Sequence, residues 1–169
     1  MKQPSDILGD QIIKLAHFVL SKVVKPDMTV DKVSDLDVQE IERIKQEYGI
    51  EAIILDVDET LRADMQSIPK VNQDWLESLN GRVKMIILSN GVDKSIEQYF
   101  ADRGIDYIGF ACKPFKRNFV KACQRLNVKP ENVMVVGDSL FDDVHGGKKN
   151  QMKTVLVRKV DKDEKERDN

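Results

Sequence analysis

The feature that most constrains this chain is a set of five short apolar runs: "AIILDV" (52–57), "VKMIIL" (83–88), "YIGFA" (107–111), "NVMVV" (132–136) and "TVLVR" (154–158). They have strand length, and several are apolar throughout, as strands covered on both faces of a parallel sheet must be. Between them lie "NQDWLESL" (72–79), "DKSIEQYFADR" (93–103), "FKRNFVKACQRL" (115–126) and "DVHGGKKN" (143–150), which read as helices. Asp93 stands where a helix cap belongs. Phe115, Phe119, Ala122 and Leu126 recur at helical spacing, which predicts a buried face. Regular alternation of strand and helix predicts an α/β domain around a central parallel sheet of about five strands. Two more helices are expected ahead of it, over about 6–25 and 37–48, the first stopped by Pro26.

At 169 residues the chain is expected to form one domain over 1–158, with a helical segment (1–49) before the core (50–158). The last stretch, 159–169, is almost all charge and reads as a flexible tail. Twenty-seven basic residues against 29 acidic ones give no sign of nucleic-acid binding. The N-terminus "MKQPSDILGD" lacks the apolar run of a secretory signal, and Cys112 and Cys123 fit free thiols, so a cytoplasmic location is expected. No segment has the length and apolarity of a membrane span.

In open parallel sheets, ligands bind outside the carboxyl ends of the strands. The residues just after the strands are therefore the ones to inspect. After the first come Asp56, Asp58 and Thr60; after the second, Ser89, Asn90 and Gly91; after the third, Lys113 and Pro114; after the fourth, "GDSLFDDVHGG" with Asp138, Asp142 and Asp143. Any one of these alone reads as a turn or a surface charge. Four carboxylates, a lysine and a hydroxyl at successive strand ends form the set that a Mg²⁺-dependent phosphoryl transfer needs. Magnesium takes hard oxygen ligands, and the metal and lysine together neutralise phosphoryl oxygens. Asp56 and Asp58, two apart, can both reach one substrate, one as nucleophile and the other handling the leaving group's proton.

"DVDET", "SN", "KP" and "GDSLFDD", in this order, resemble the four motifs of the haloacid dehalogenase superfamily of phosphatases, over about residues 50–158. With "VDKVSDLDVQEIERIKQEYGIEAIILD" ahead of them, the chain is similar to the YqeG branch of subclass IIIA. That branch includes phosphatidylglycerophosphate phosphatases. The resemblance implies a haloacid dehalogenase-like fold in which Asp56 is the nucleophile and Asp58 the general acid and then base. Thr60, Ser89, Asn90 and Lys113 would bind the phosphoryl group, with Lys113 also steadying Asp56. Asp56, Asp138 and the carbonyl of Asp58 would hold Mg²⁺. Asp143 matches the second acid of the last motif, with Asp142 beside it as the alternative ligand.

A phosphoacceptor signalling domain would carry its nucleophile at a later strand, and "IILSN" offers no aspartate there. A non-catalytic assembly factor on the same fold remains the rival, although Asp56, Asp58 and Lys113 are all present. Residues 61–88 and 91–112 are just long enough for core elements, so no cap domain is expected. An open site suits a phosphate on something large: a lipid, protein, nucleic acid or polysaccharide. The resemblance implies a lipid phosphate, phosphatidylglycerophosphate, met at a membrane surface. On the first helix, Leu8, Ile12, Leu15, Ala16, Val19 and Val23 form an apolar face that would most simply pack on the core. Ile7 and Phe18 lie instead among Lys14, Lys22 and Lys25, which suits weak peripheral contact with anionic headgroups. His17, on that helix, and His145 are not expected to be ligands. Cys112, Trp75, Phe100 and Phe119 are expected to pack in the interior.

Overall fold

The computed structural model describes residues 4–161, and within α1 the side chains of 4–8, 10, 17 and 21 fall outside the description. Ile7, Leu8 and His17 are therefore not placed. The elements run α1 (Pro4–Val23), β1 (Met28–Val30), α2 (Val38–Tyr48), β2 (Ala52–Leu55), α3 (Lys70–Leu79), β3 (Lys84–Leu88), α4 (Lys94–Ala101), β4 (Asp106–Ile108), α5 (Lys116–Leu126), β5 (Val133–Gly137), α6 (Gly146–Lys149) and β6 (Lys153–Val157). A π-helical turn, Leu140–His145, leads into α6.

Six strands form one sheet in the order β1-β6-β5-β2-β3-β4, every pair parallel. From β2 the chain moves outward through β3 and β4, then returns to β5 on the other side. Connections thus depart in opposite directions from β2 and β5, which opens a crevice at their carboxyl ends. Strand pleating sorts the apolar residues between two cores. Ile53 and Leu55 join α2, α3 and α4 through Ile41, Trp75, Leu79 and Phe100. Ala52 and Ile54 face α5 through Phe119, Ala122 and Cys123. Trp75, Phe100 and Phe119 are interior, as their patterns predict. Asp93 caps α4, its carboxylate accepting from the Ser95 and Ile96 N–H groups.

Several local expectations change. Strand β1 does not stand out in the sequence because it is three residues long; it is an edge strand that pairs with β6. It is held there by Asp27, whose carboxylate accepts the Thr154 N–H at 2.8 Å. Strand β4 stops at Ile108 because Phe110 and Cys112 take left-handed backbone angles, φ 46° and 50°. Cys112 is exposed and does not pack as expected; Cys123 is buried, and both are free. Phe115 leaves the apolar face of α5, since it precedes the helix as its N-cap residue and points to solvent. After β6, the Lys159 N–H bonds the Asp31 carbonyl at 2.8 Å, and Asp161 accepts from the Ser34 hydroxyl at 3.0 Å. The rest of the charged tail, 162–169, lies outside the described residues.

No separate cap domain is present among the described residues. Residues 61–88 are used by a loop, α3 and β3, and residues 91–112 by α4, β4 and their turns. The face of α1 expected to pack on the core does not do so. Ile12, Leu15, Val19 and Val23 are 54–77% exposed, and the helix rests on the 140–145 turn. No helix among the described residues is long and apolar enough to cross a membrane.

Candidate active site

The carboxyl ends of β2 and β5 lie side by side, the Asp56 N–H bonding the Val136 carbonyl at 3.0 Å. Asp56 and Asp138 therefore leave the sheet next to each other. Lys113 comes from the β4–α5 connection, where the Lys113–Pro114 peptide is cis. Its backbone N–H donates to Asn90 Oδ1 at 2.7 Å, which ties this connection to the end of β3.

The ammonium of Lys113 is buried and bonds two carboxylates, Asp56 Oδ1 at 2.8 Å and Asp143 Oδ1 at 2.6 Å. Burial works against its charge, but Asp143 and Asp56 outweigh it and hold its pKa above the ordinary lysine value. Thr60 is fully buried, its hydroxyl 3.3 Å from Asp56 Oδ2 and 3.4 Å from Asp138 Oδ1. Asp56, Asp138 and Asp143 each offer an oxygen within 4.8 Å of the others. Burial first, then the charges of Asp56 and Asp143, push the Asp138 carboxyl up to about 7. Burial and Asp56 also raise Asp143, against the pull of Lys113. One lysine thus bonds two of three crowded carboxylates and leaves Asp138 without a cationic partner in the cluster, a crowding that a divalent cation would relieve. The donors are all hard oxygens, so the set fits magnesium.

Asp143 joins this cluster and Asp142 does not. The turn after β5 is π-helical, with the Ser139 hydroxyl accepting the Asp142 N–H. Asp143 folds back beneath the loop, where Ser139 N–H donates to its Oδ2 at 3.2 Å. Gly137 makes room for it: a Cβ there would lie 2.1 Å from Asp143 Oδ2. Asp142 faces Asn90, whose Nδ2 donates to it at 3.3 Å.

Asp58 stands apart from the three-carboxylate cluster, held by a residue that motif reasoning passed over. The Arg62 side chain is almost wholly buried; its Nε donates to Asp58 Oδ1 at 2.9 Å and its Nη1 to Asp93 Oδ2 at 3.0 Å. The Ser95 hydroxyl and Arg62 together hold Asp93 down to about 2. The signal was present in "DETLR", where an arginine four residues after an acid can reach back to it. Ser89 is buried, and its Oγ accepts the Gly91 N–H at 3.2 Å. His145 stacks on Phe141 and lies outside the three-carboxylate cluster.

The chain is similar in sequence and in fold to known proteins. "Probable phosphatase YqeG" of Bacillus subtilis (strain 168) is 29% identical over 141 residues, spanning 82% of this chain and 80% of the relative. A glyceraldehyde 3-phosphate phosphatase of Pyrococcus furiosus is 49% identical over 46 residues, 27% of this chain and 19% of its own length. Among solved structures, a hypothetical protein from Xanthomonas campestris shares the fold with a TM-score of 0.55 and 16% identity, over 80% of this chain and 84% of that one. An uncharacterized protein from Listeria monocytogenes serotype 4b does so at 0.53 and 20% identity, over 64% and 79%. Residues 13–150, which contain every strand-end residue described above, match the haloacid dehalogenase-like hydrolases, and the chain belongs to that family.

Proposed function

We propose that this hydrolase cleaves phosphate monoesters through an aspartyl-phosphate on Asp56, with Mg²⁺, and that its substrate is a lipid phosphate, phosphatidylglycerophosphate. The observation that carries the reaction is the buried lysine bridging Asp56 and Asp143 beside a third carboxylate. Asp56 Oδ1 rests on Lys113, leaving the other oxygen to attack phosphorus. As the new O–P bond forms and the ester P–O bond breaks, Asp58 gives its proton to the departing alkoxide. Water then attacks the phosphorus, Asp58 takes its proton, and Asp56 is released with inorganic phosphate. Arg62 holds Asp58 at the edge of the site through both steps. Lys113, Ser89 and Asn90 would bind the phosphoryl oxygens, with Thr60 supporting Asp56 from beneath. Magnesium held by Asp56, Asp138, Asp143 and the Asp58 carbonyl would supply charge neutralisation for those oxygens.

Two observations favour a lipid. No cap covers the site among the described residues, which leaves it open and not enclosing a small substrate. The α1 helix exposes Ile12, Leu15, Val19 and Val23, with Phe18 under the ammonium of Lys22, as an interfacial helix does. The experiment is phosphate release from phosphatidylglycerophosphate in detergent micelles, a sugar phosphate, a nucleotide and a phosphopeptide, each with Mg²⁺ and with chelator. The expected result is turnover fastest on the lipid and abolished by chelator. Equal rates on all four substrates overturn the lipid reading, and full activity in chelator overturns the metal.

A further inference from the structure

Twelve large hydrophobic side chains are exposed among the described residues, and their placement is uneven. Six are on α1. Five more, Met65, Val92, Phe110, Phe115 and Phe141, are 44–77% exposed and lie in the connections that follow β2, β3, β4 and β5. Only Tyr48 lies elsewhere, and the Lys153 ammonium covers its ring. Because all the strands are parallel, these four connections leave one edge of the sheet, the edge that carries the site.

The loops are stitched into one rim. The Phe110 N–H reaches the Gly91 carbonyl at 3.4 Å, and a Cβ on Gly109 would sit 3.1 Å from Val92 Cγ2. Asn90 joins the Lys113 backbone to Asp142, the neighbour of Phe141. Met65 and Phe110 hold left-handed backbone angles, φ 60° and 46°, which are costly for bulky side chains and are maintained here in residues pointing outward. Exposed lysines and arginines stand beside the apolar tips. Lys94 follows Val92 by two residues, and Lys116 and Arg117 follow Phe115. None of the three is in an ion pair with a described residue. The α1 helix rests on the same turn that carries Phe141, and it adds exposed Lys14, Lys22 and Lys25.

We infer that this rim is a membrane-docking surface: Met65, Val92, Phe110, Phe115 and Phe141 enter the interfacial layer of an anionic bilayer, setting the mouth of the site against the headgroups. The inference rests on the lipid-phosphate reading and adds how the substrate is reached. A protein partner seated on these five tips would cover the carboxylates and lysine between them. A bilayer that supplies the substrate presents it to them instead. Scattered apolar tips interleaved with cations suit an interface of acyl chain and anionic headgroup, where each cation adds to binding.

The test is flotation of the full chain with phosphatidylcholine vesicles, with and without phosphatidylglycerol. The wild type and Tyr48→Ser should float with the anionic vesicles. The double variant Phe110→Ser/Phe115→Ser should bind on the order of tenfold more weakly or less, because two exposed aromatic rings are removed. Lys116→Gln/Arg117→Gln should weaken the dependence on phosphatidylglycerol, with an unchanged melting temperature. If the serine variant melts early, the Lys116 and Arg117 pair decides the matter. Wild type that stays at the bottom of the gradient, or variants that float as it does, overturn the docking surface. So does a concentration-dependent dimer that the serine pair dissolves, since the rim would then bind a second copy. Preference for lipid phosphate in micelles without flotation overturns the surface alone. Rim-dependent flotation without that preference supports the surface and overturns the substrate.

Discussion

The two edges of the sheet are built on opposite plans. At the amino edge, charges lie outward and find backbone or surface partners. Lys45 reaches the Arg82 carbonyl at 2.6 Å, Lys84 the Leu126 carbonyl at 3.1 Å, and Arg125 pairs with Asp106 at 3.2 Å. At the carboxyl edge the order is inverted: Lys113, Asp143, Asp56 and Arg62 are buried while phenylalanines face solvent. Burying charge and exposing aromatic surface both cost stability, so an edge that does both at once is shaped by function. The amino edge shows what the same fold does where stability alone governs.

The largest effect expected from breaking this contrast is at Asp56. Asp56→Asn removes the attacking oxygen's charge, and kcat on an aryl phosphate should fall by about a thousandfold or more. Asp58→Asn should be slower but still allow phosphorylation of Asp56 when the leaving group is good. Near-normal turnover by Asp56→Asn with an inactive Asp58→Asn would reverse the two roles.

Next comes a matched pair of lysines, compared by urea denaturation above neutral pH in chelator. Lys113→Met strands Asp56 and Asp143 without their counter-charge and should cost ~3 kcal/mol. Lys45→Met, on the partly exposed amino edge, should cost less than about 1 kcal/mol. Similar losses for the two would remove the distinction drawn between the edges.

The smallest effect is a pH dependence. Asp138 and Asp143 have carboxyl pKa values raised by folding, so the folded chain holds protons that the unfolded chain has released. Without metal, stability should therefore fall as pH rises from the ordinary carboxylate range through about 7. Lys113, whose pKa is also raised, contributes throughout this window and is lost only at higher pH. Mg²⁺ should restore a few degrees of melting temperature above neutral pH and little near pH 5. A melting temperature that rises with pH in chelator would contradict the crowding of the three carboxylates.

The core strands and most helices were legible because their apolar periodicity extends over whole elements. The carboxylates of the site were legible because parallel strands deliver their ends to one edge whatever their order. Residues whose roles depend on short local geometry were harder to place. Phe115 keeps helical spacing with Phe119 yet precedes the helix, and Cys112 adjoins a buried lysine yet faces solvent.

By itself, the sequence determined an alternating α/β chain, Asp56, Asp58, Lys113 and Asp138 at strand ends, and a set of oxygen donors able to hold a metal. These follow from patterns within a few residues and from the rule that parallel strands share an edge. Tertiary structure decided between Asp142 and Asp143, because a π-helical turn over Gly137 sends only the second carboxylate inward to Lys113. It paired Arg62 with Asp93, 31 positions away, and joined β1 to β6 through Asp27 and Thr154, 127 apart. It also left the apolar face of α1 open, since that helix rests on the 140–145 turn and the two cores are filled by other elements. Such outcomes depend on which surfaces remain after the sheet has closed, and no local pattern records that.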